Sequence, residues 1–356
     1  MSTIQNLMRS DLKRFSAYSS ARDEAKTGKI FLNANESPYP LVSENGEILN
    51  RYPEKQPKEL IKLIASIYKI SAEQVVLSRG SDEIIDLLVR LFCTAYEDSI
   101  IICPPTFGMY SVCAKLQGAK IIEVPLIKES KFELNTDLIL SQYNPSVKII
   151  FLCSPNNPTG NIINTESILN LCKQLKNKCI IAVDEAYIEF SDSESLSKYI
   201  NIYDNLVILR TFSKAYRLAA ARCGMMIAQP ELVNWVLKII PPYPIPSTTS
   251  ALLFNALKNN GINMKEQIQL IKSEKIRLFK AFSFISYIKK TWESEANFLL
   301  IEVEDAEELM RIFSQNGVII RNMTDKPNLK NCVRITIGLA EENNKLLFIL
   351  KNMSVI

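Results

Sequence analysis

The chain of 356 residues contains no histidine. That absence removes Ser-His-Asp and Cys-His catalysis, imidazole metal ligands and a histidine general base. Acid-base work near neutral pH must fall to lysine, a carboxylate, tyrosine, cysteine or a bound cofactor. Lys, Asn and Ile are abundant, and a low-GC genome would give the same balance. The eight cysteines, at 93, 103, 113, 153, 172, 179, 223 and 332, form no Cys-x-x-Cys pair and lie mostly in apolar runs. They read as reduced core thiols of a cytoplasmic protein, with no disulfide framework and no metal site. No apolar run approaches the ~20 residues of a membrane span, and residues 1–14 lack the apolar core of a secretion signal. The net charge of +4 comes from 42 basic and 38 acidic residues spread along the chain, which gives no electrostatic case for nucleic acid. No internal repeat or low-complexity segment is present.

What remains is an ordinary globular balance, 47% hydrophobic and 22% charged, in a chain long enough for two domains. Short apolar runs without polar alternation recur between helical segments: Val75 to Ser78, Ile100 to Cys103, Lys120 to Val124, Lys148 to Cys153, Ile180 to Val183, Leu206 to Arg210 and Met225 to Ala228. Strands of this kind belong to an α/β fold with a mostly parallel, seven-stranded sheet covered on both faces. The proline run from Pro241 to Pro246 stops any helix and marks a boundary. A long helical region, Ser250 to Ile288, follows it. Strands at Asn297 to Val303, Val318 to Arg321 and Val333 to Ile337, with helices Ala306 to Gln315 and Glu341 to Lys351, then make a smaller α+β unit. The expected division is an N-terminal arm, 1–29, docked on the smaller unit; a large unit, 30–240; and the smaller unit, 241–356.

Four polar clusters sit where expected strands end, the place where open α/β sheets bind ligands. Thr211-Phe212-Ser213-Lys214, with Arg222 beyond, places a lysine among hydroxyls and a guanidinium, a setting that lowers an amine's pKa. Taken alone, the stretch reads more readily as a surface lysine in a solvated loop. Gly80-Ser81-Asp82-Glu83 opens a helix whose free N–H groups and dipole form an anion site, or simply a helix cap. Ser154-Pro155-Asn156-Asn157-Pro158-Thr159-Gly160 is a turn stiffened by prolines, and Asp184-Glu185-Ala186-Tyr187 closes another strand.

The motifs Asn156-Asn157-Pro158-Thr159-Gly160, Asp184-Glu185-Ala186-Tyr187 and Ser213-Lys214 with Arg222, in that order and spacing, resemble the class I/II aminotransferases of pyridoxal-phosphate fold type I. The resemblance extends over nearly the whole chain. It implies pyridoxal 5'-phosphate as cofactor, with Lys214 as the amine that holds it and moves the substrate proton. Asp184 would keep the ring nitrogen protonated, and Tyr187 and Asn157 would bond the phenolic oxygen. Ser81, Asp82, Ser213 and Arg222 would hold the phosphate, and Tyr110 would stack on the ring.

Finer features resemble one branch of that class, the histidinol-phosphate aminotransferases: Tyr18 and Arg22, Asn33-Ala34-Asn35-Glu36, Arg51-Tyr52-Pro53, Asn297-Phe298, Arg321 and Arg334. By this likeness Arg321 and Arg334 grip a phosphate or a carboxylate, Tyr18 touches the substrate, and Tyr52 reaches the cofactor phosphate of a partner subunit in a homodimer. An aromatic-amino-acid aminotransferase and a phosphothreonine-type decarboxylase on the same scaffold stand as alternatives. Arg217 and Ala220 occupy positions where that class commonly has glycine.

Overall fold

The computed structural model describes residues 3–16, 30–44, 46–259 and 261–353. Tyr18 and Arg22 lie outside the described residues. The larger sheet has seven strands: β1 Val75–Ser78, β2 Ser99–Ile102, β3 Lys120–Glu123, β4 Val147–Cys153, β5 Ile180–Asp184, β6 Leu206–Thr211 and β7 Gly224–Ile227. Their order is β1-β7-β6-β5-β4-β2-β3. Strand β7 runs antiparallel to β1 and β6, and the remaining pairings are parallel.

The absence of polar alternation has a direct cause. Ile150, Leu152, Ile181 and Val183 pack into one core cluster, and their neighbours Ile149, Phe151, Ile180 and Ala182 into a second. Successive side chains point to opposite faces of a strand, so a sheet buried on both faces needs apolar residues at every position. Strand β3 departs from this expectation, with Lys120 and Glu123 exposed. It is one of the two edge strands, and charge there discourages pairing with another sheet.

The helix Ser81–Phe92 follows β1 and buries Ile84, Leu87, Leu88 and Leu91 against the sheet. Asp82 and Glu83 stand in its first turn and Arg90 in its last, matching the helix dipole. The described N-terminal helix Thr3–Leu7 buries Ile4 and Leu7, together with Met8, in the same cluster as Val76 and Leu88. Arg9 also bonds back to the carbonyl groups of Leu91 and Arg90. For the residues described, the arm therefore docks on the larger sheet's helical face, which corrects the expected packing on the smaller unit. The apolar spacing indicated a buried face; which surface received it depended on the helix Ser81–Phe92.

The smaller sheet is antiparallel, in the order β10-β11-β9-β8, from β8 Ile288–Thr291, β9 Phe298–Val303, β10 Arg321–Asn322 and β11 Cys332–Thr336. Strand β8 was not expected, because its central Lys289 and Lys290 face water at an edge. The long helical region divides into Ser247–Asn259 and Gly261–Phe282. Trp292, Leu300, Met323 and Cys332 share a buried cluster with Leu152 and Val183, so apolar packing joins the two sheets directly.

Candidate active site

A cleft of about 160 Å³ opens at the ends of β1, β4, β5 and β6. Gly80, Ser81, Asp82, Asn157, Asp184, Tyr187, Ser213, Lys214 and Arg222 all line it, as do Phe107, Cys153, Ala186, Thr211 and Ala219. Thr211 and Ala186 belong to the polar stretches read from sequence, whereas Phe107, Cys153 and Ala219 were not singled out as site residues.

Asp184 is the final residue of β5 and is 2% exposed. Its Oδ2 accepts from the Tyr110 hydroxyl at 2.9 Å and its Oδ1 from the Ala186 backbone N–H at 3.1 Å. Both donors are neutral. Burial pushes the carboxyl pKa up to about 6, against the pull of those two bonds.

Lys214 follows β6, and its Nζ stands 5.6 Å from the centroid of the Tyr187 ring. The residue is exposed through the open mouth, but the cleft walls strip part of the amine's water and lower its pKa. Arg334 adds to that effect. The lowering expected from sequence is thus present, though Arg334 is a larger cationic influence than Arg222.

Also lining the cleft, Gly80 starts the helix Ser81–Phe92 with φ at 80°, a left-handed value that favours glycine. A Cβ there would meet Arg222 Nη2 at 2.7 Å, so the missing side chain lets the guanidinium approach the helix start. Arg222 itself has a φ of 50° and lies 3.5 Å from Asp82, with both side chains roughly half-exposed. Ser213 receives a bond from Thr211 Oγ1 at 3.0 Å. Hydroxyls, a guanidinium and the N–H groups of a helix N-terminus converge there, a donor set that suits a phosphate. Arg217, where the class commonly has glycine, takes a φ of 62°.

Asn157 connects the two sheets. Its Nδ2 donates to the Tyr187 hydroxyl at 3.3 Å, and its Oδ1 accepts from Arg334 Nη1. The Tyr187 ring stands edge-on to Phe298, with centroids 5.2 Å apart, and the Arg334 guanidinium lies 5.3 Å from that same ring. Burial raises the Tyr187 hydroxyl above its ordinary range, while burial and then Arg321 lower the Arg334 pKa. Arg321 on β10 stands directly opposite Arg334 on β11 and is exposed.

One expected contact differs. Tyr110 does not present its ring to the cleft: it is fully buried and lies parallel to Phe151 at 4.9 Å. Besides Tyr187, the aromatic residue lining the cleft is Phe107, packed edge-on to Tyr110 at 5.7 Å. Both residues follow the same Pro-Pro turn; helix Met109–Gln117 rotates Tyr110 inward and leaves Phe107 at the wall. Tyr52 stands away from the cleft, half-exposed and stacked on Tyr243 at 4.7 Å. Glu36 gathers the two N-terminal motifs, accepting from Arg51 at 2.8 Å and from the Tyr52 backbone N–H at 2.6 Å.

Among the described residues no cluster of Cys, Asp and Glu has the form of a metal site, and no helix is long and apolar enough to cross a membrane. The family described as "Aminotransferase class I and II" matches residues 23–348. The chain is 42% identical over 354 residues to the histidinol-phosphate aminotransferase of Francisella philomiragia, covering 99% of this chain and 96% of that one. Its fold is similar to the solved histidinol-phosphate aminotransferase of Clostridium acetobutylicum, with a TM-score of 0.79, 27% identity, and coverage of 86% of this chain and 91% of that chain. The Sinorhizobium meliloti structure of that enzyme name, in complex with pyridoxal-5'-phosphate, gives a TM-score of 0.78 at 20% identity, covering 86% of this chain and 83% of that chain.

Proposed function

The chain belongs to the class I and II aminotransferases, and from that premise we propose that it moves an amino group between L-histidinol phosphate and 2-oxoglutarate, yielding imidazole acetol phosphate and L-glutamate. The carrying observation is 42% identity across 99% of the chain to a relative of that name. Two arginines paired across β10 and β11, one of them bonded to Asn157 at the cleft, support it as an anion grip.

The cleft fits pyridoxal phosphate on its own chemistry. A buried carboxylate with neutral donors and a phosphate-suited donor set line the same cleft. That combination of groups suits a molecule carrying a basic ring nitrogen and a phosphate. When bound, the cofactor supplies an electron sink that acidifies the Cα–H of an attached amino acid.

The remaining roles belong to this chain. Asp184 holds the ring-nitrogen proton, because an anion in a dry site stabilises an adjacent cation strongly. Tyr187 and Asn157 donate to the phenolic oxygen. Phe107, Ser213, Arg222 and Gly80 to Asp82 line the cleft; Phe107 would cover the ring face, and the others would hold the phosphate. Lys214 carries the cofactor and then moves the proton at the substrate Cα; its lowered pKa keeps more of the amine in the free form near neutrality. Arg334 and Arg321 orient the substrate's phosphate or carboxylate, since the planar guanidinium fork accommodates both.

Residues 30–240 are assigned to the cofactor-binding unit and 241–356 to the smaller one. The proposed assembly is a cytoplasmic homodimer in which Tyr52 reaches the partner subunit's cofactor phosphate. Ile30, Leu32, Tyr39 and Leu41, from 65% to 89% exposed, support a covering second copy on that segment. The test is a substrate panel on purified, cofactor-loaded protein. Glutamate formation from histidinol phosphate and 2-oxoglutarate is expected; its absence, with turnover of phenylalanine or release of carbon dioxide from phosphothreonine, would replace the assignment.

A further inference from the structure

Tyr110 touches the cofactor cleft without lining it, and its surroundings define what it can do. The ring packs between Phe151 and Phe107, and the hydroxyl is spent on Asp184 Oδ2 at 2.9 Å. Burial, then the Asp184 charge, holds the phenol's proton far more tightly than water does. Tyr110 therefore remains a neutral donor throughout the working pH range.

The titratable groups facing Asp184 come from several elements: Cys153 at the end of β4, Asp82 on the helix Ser81–Phe92, Glu185 and Tyr187 on its own segment, and Lys214 after β6. Asp82 and Glu185 oppose its ionisation. Lys214 favours the charge only while protonated, and the cofactor consumes that amine. Among the described residues, Tyr110 is the one side chain that donates a hydrogen bond to Asp184; the other donor is the Ala186 backbone.

We propose that Tyr110 is a positioning residue that keeps Asp184 ionised and aimed at the cofactor's ring nitrogen, so that capture of pyridoxal phosphate stays strong through neutral pH. The assignment rests on the cofactor reading of the cleft. A ring that only filled space behind Phe107 would need no hydroxyl, so Tyr110→Phe separates the two roles while keeping both ring contacts.

The experiment measures the dissociation constant of pyridoxal phosphate for wild type and Tyr110→Phe from pH 5.5 to 9. A hydrogen bond to a charged group accounts for roughly tenfold to hundredfold in an ionisation constant. With Asp184 ionising at about 6, the variant should bind about 5- to 50-fold more weakly at pH 6 and within about twofold of wild type at pH 9. The cofactor's own titrations cancel in that ratio. A ratio that is constant across the range, whether near one or large, overturns the assignment.

In an Asp184→Asn background the pH-dependent part of the effect should vanish; its persistence also overturns the proposal. Should Tyr110→Phe fail to fold, a fluorinated tyrosine at position 110 is a stronger donor of nearly the same size. It should tighten binding at pH 6 and leave pH 9 unchanged, and unaltered binding at pH 6 refutes the role. Wild type that binds no pyridoxal phosphate overturns the cofactor reading itself. A wild-type curve that bends near pH 6 with a parallel variant curve removes only Tyr110.

Discussion

The two halves of the cleft are built on different principles. At the ends of β5 and β6, Asp184 and the Thr211–Lys214 stretch are carried by strands buried on both faces, where packing fixes the backbone before a ligand arrives. At β10 and β11, Arg321 and Arg334 face each other across a short strand pair, one exposed and the other half-buried. Like charges directly opposite in a sheet are unfavourable, and an anion between them removes the conflict. The first half is rigid and stores an unpaired negative charge; the second is open and stores an unneutralised positive one. On the proposed roles, affinity for the cofactor and for the substrate would be set by separate structures, linked through the bonds of Asn157 to Tyr187 and Arg334.

This contrast can be broken most severely at Lys214. Lys214→Ala should leave the fold intact by circular dichroism and lower turnover by about 10⁴-fold or more, as expected for removing the amine that both holds the cofactor and moves the proton. Near-normal transamination would dissolve the division of labour. Arg334→Ala should lower kcat/KM by about 10²- to 10³-fold, the cost of removing one member of a partly buried charged pair, with cofactor affinity little changed. Arg334→Lys should recover only part of the loss, since a point charge cannot reproduce the fork. A variant that lost cofactor and substrate binding together would merge the two halves.

A third measurement addresses the charge stored in the rigid half. The Asp184 pKa is raised from 3.8 to about 6 in the cofactor-free fold. The stability linked to its protonated form is present below about pH 4 and is lost as pH rises through 6. The difference of about two pH units, at roughly 1.4 kcal/mol each, amounts to about 3 kcal/mol. Asp184→Asn should therefore stabilise the cofactor-free protein by up to about 3 kcal/mol at pH 8, with little gain near pH 4, in urea denaturation. With cofactor present the ranking should reverse. Equal stability of the two cofactor-free proteins at pH 8 would mean that the carboxylate is compensated within the fold.

The smallest effect is expected at Arg321. Being exposed, it should contribute within about tenfold to kcat/KM on Arg321→Ala, and the effect should fall as salt is raised. A loss as large as that of Arg334→Ala would make the two arginines a single clamp.

Legibility in the sequence follows the same division. Most strands of the larger sheet were readable because double burial demands apolar residues at successive positions, Asp184 because it closes such a run, and Asn157 and Lys214 because they lie in polar stretches just beyond one and match the motifs of a known class. Strand β8 was hidden, since an edge strand with two central lysines has no apolar signature. Tyr110 and Phe107 could not be ranked by type. Both are aromatic and three positions apart, and only the start of the helix Met109–Gln117 decides which one faces the cleft. The arm's apolar spacing announced a buried face without naming its receiving surface.

The sequence by itself determined that histidine chemistry is excluded, that a two-sided sheet forms, and which polar residues close its strands. These depend on composition and on local periodicity. The tertiary structure decided that Tyr110 bonds to Asp184, that Arg334 reaches Asn157 from the other sheet, and that Glu36 clasps Arg51 and Tyr52. Each of those depends on directions between elements distant in the chain, and no local pattern records a direction.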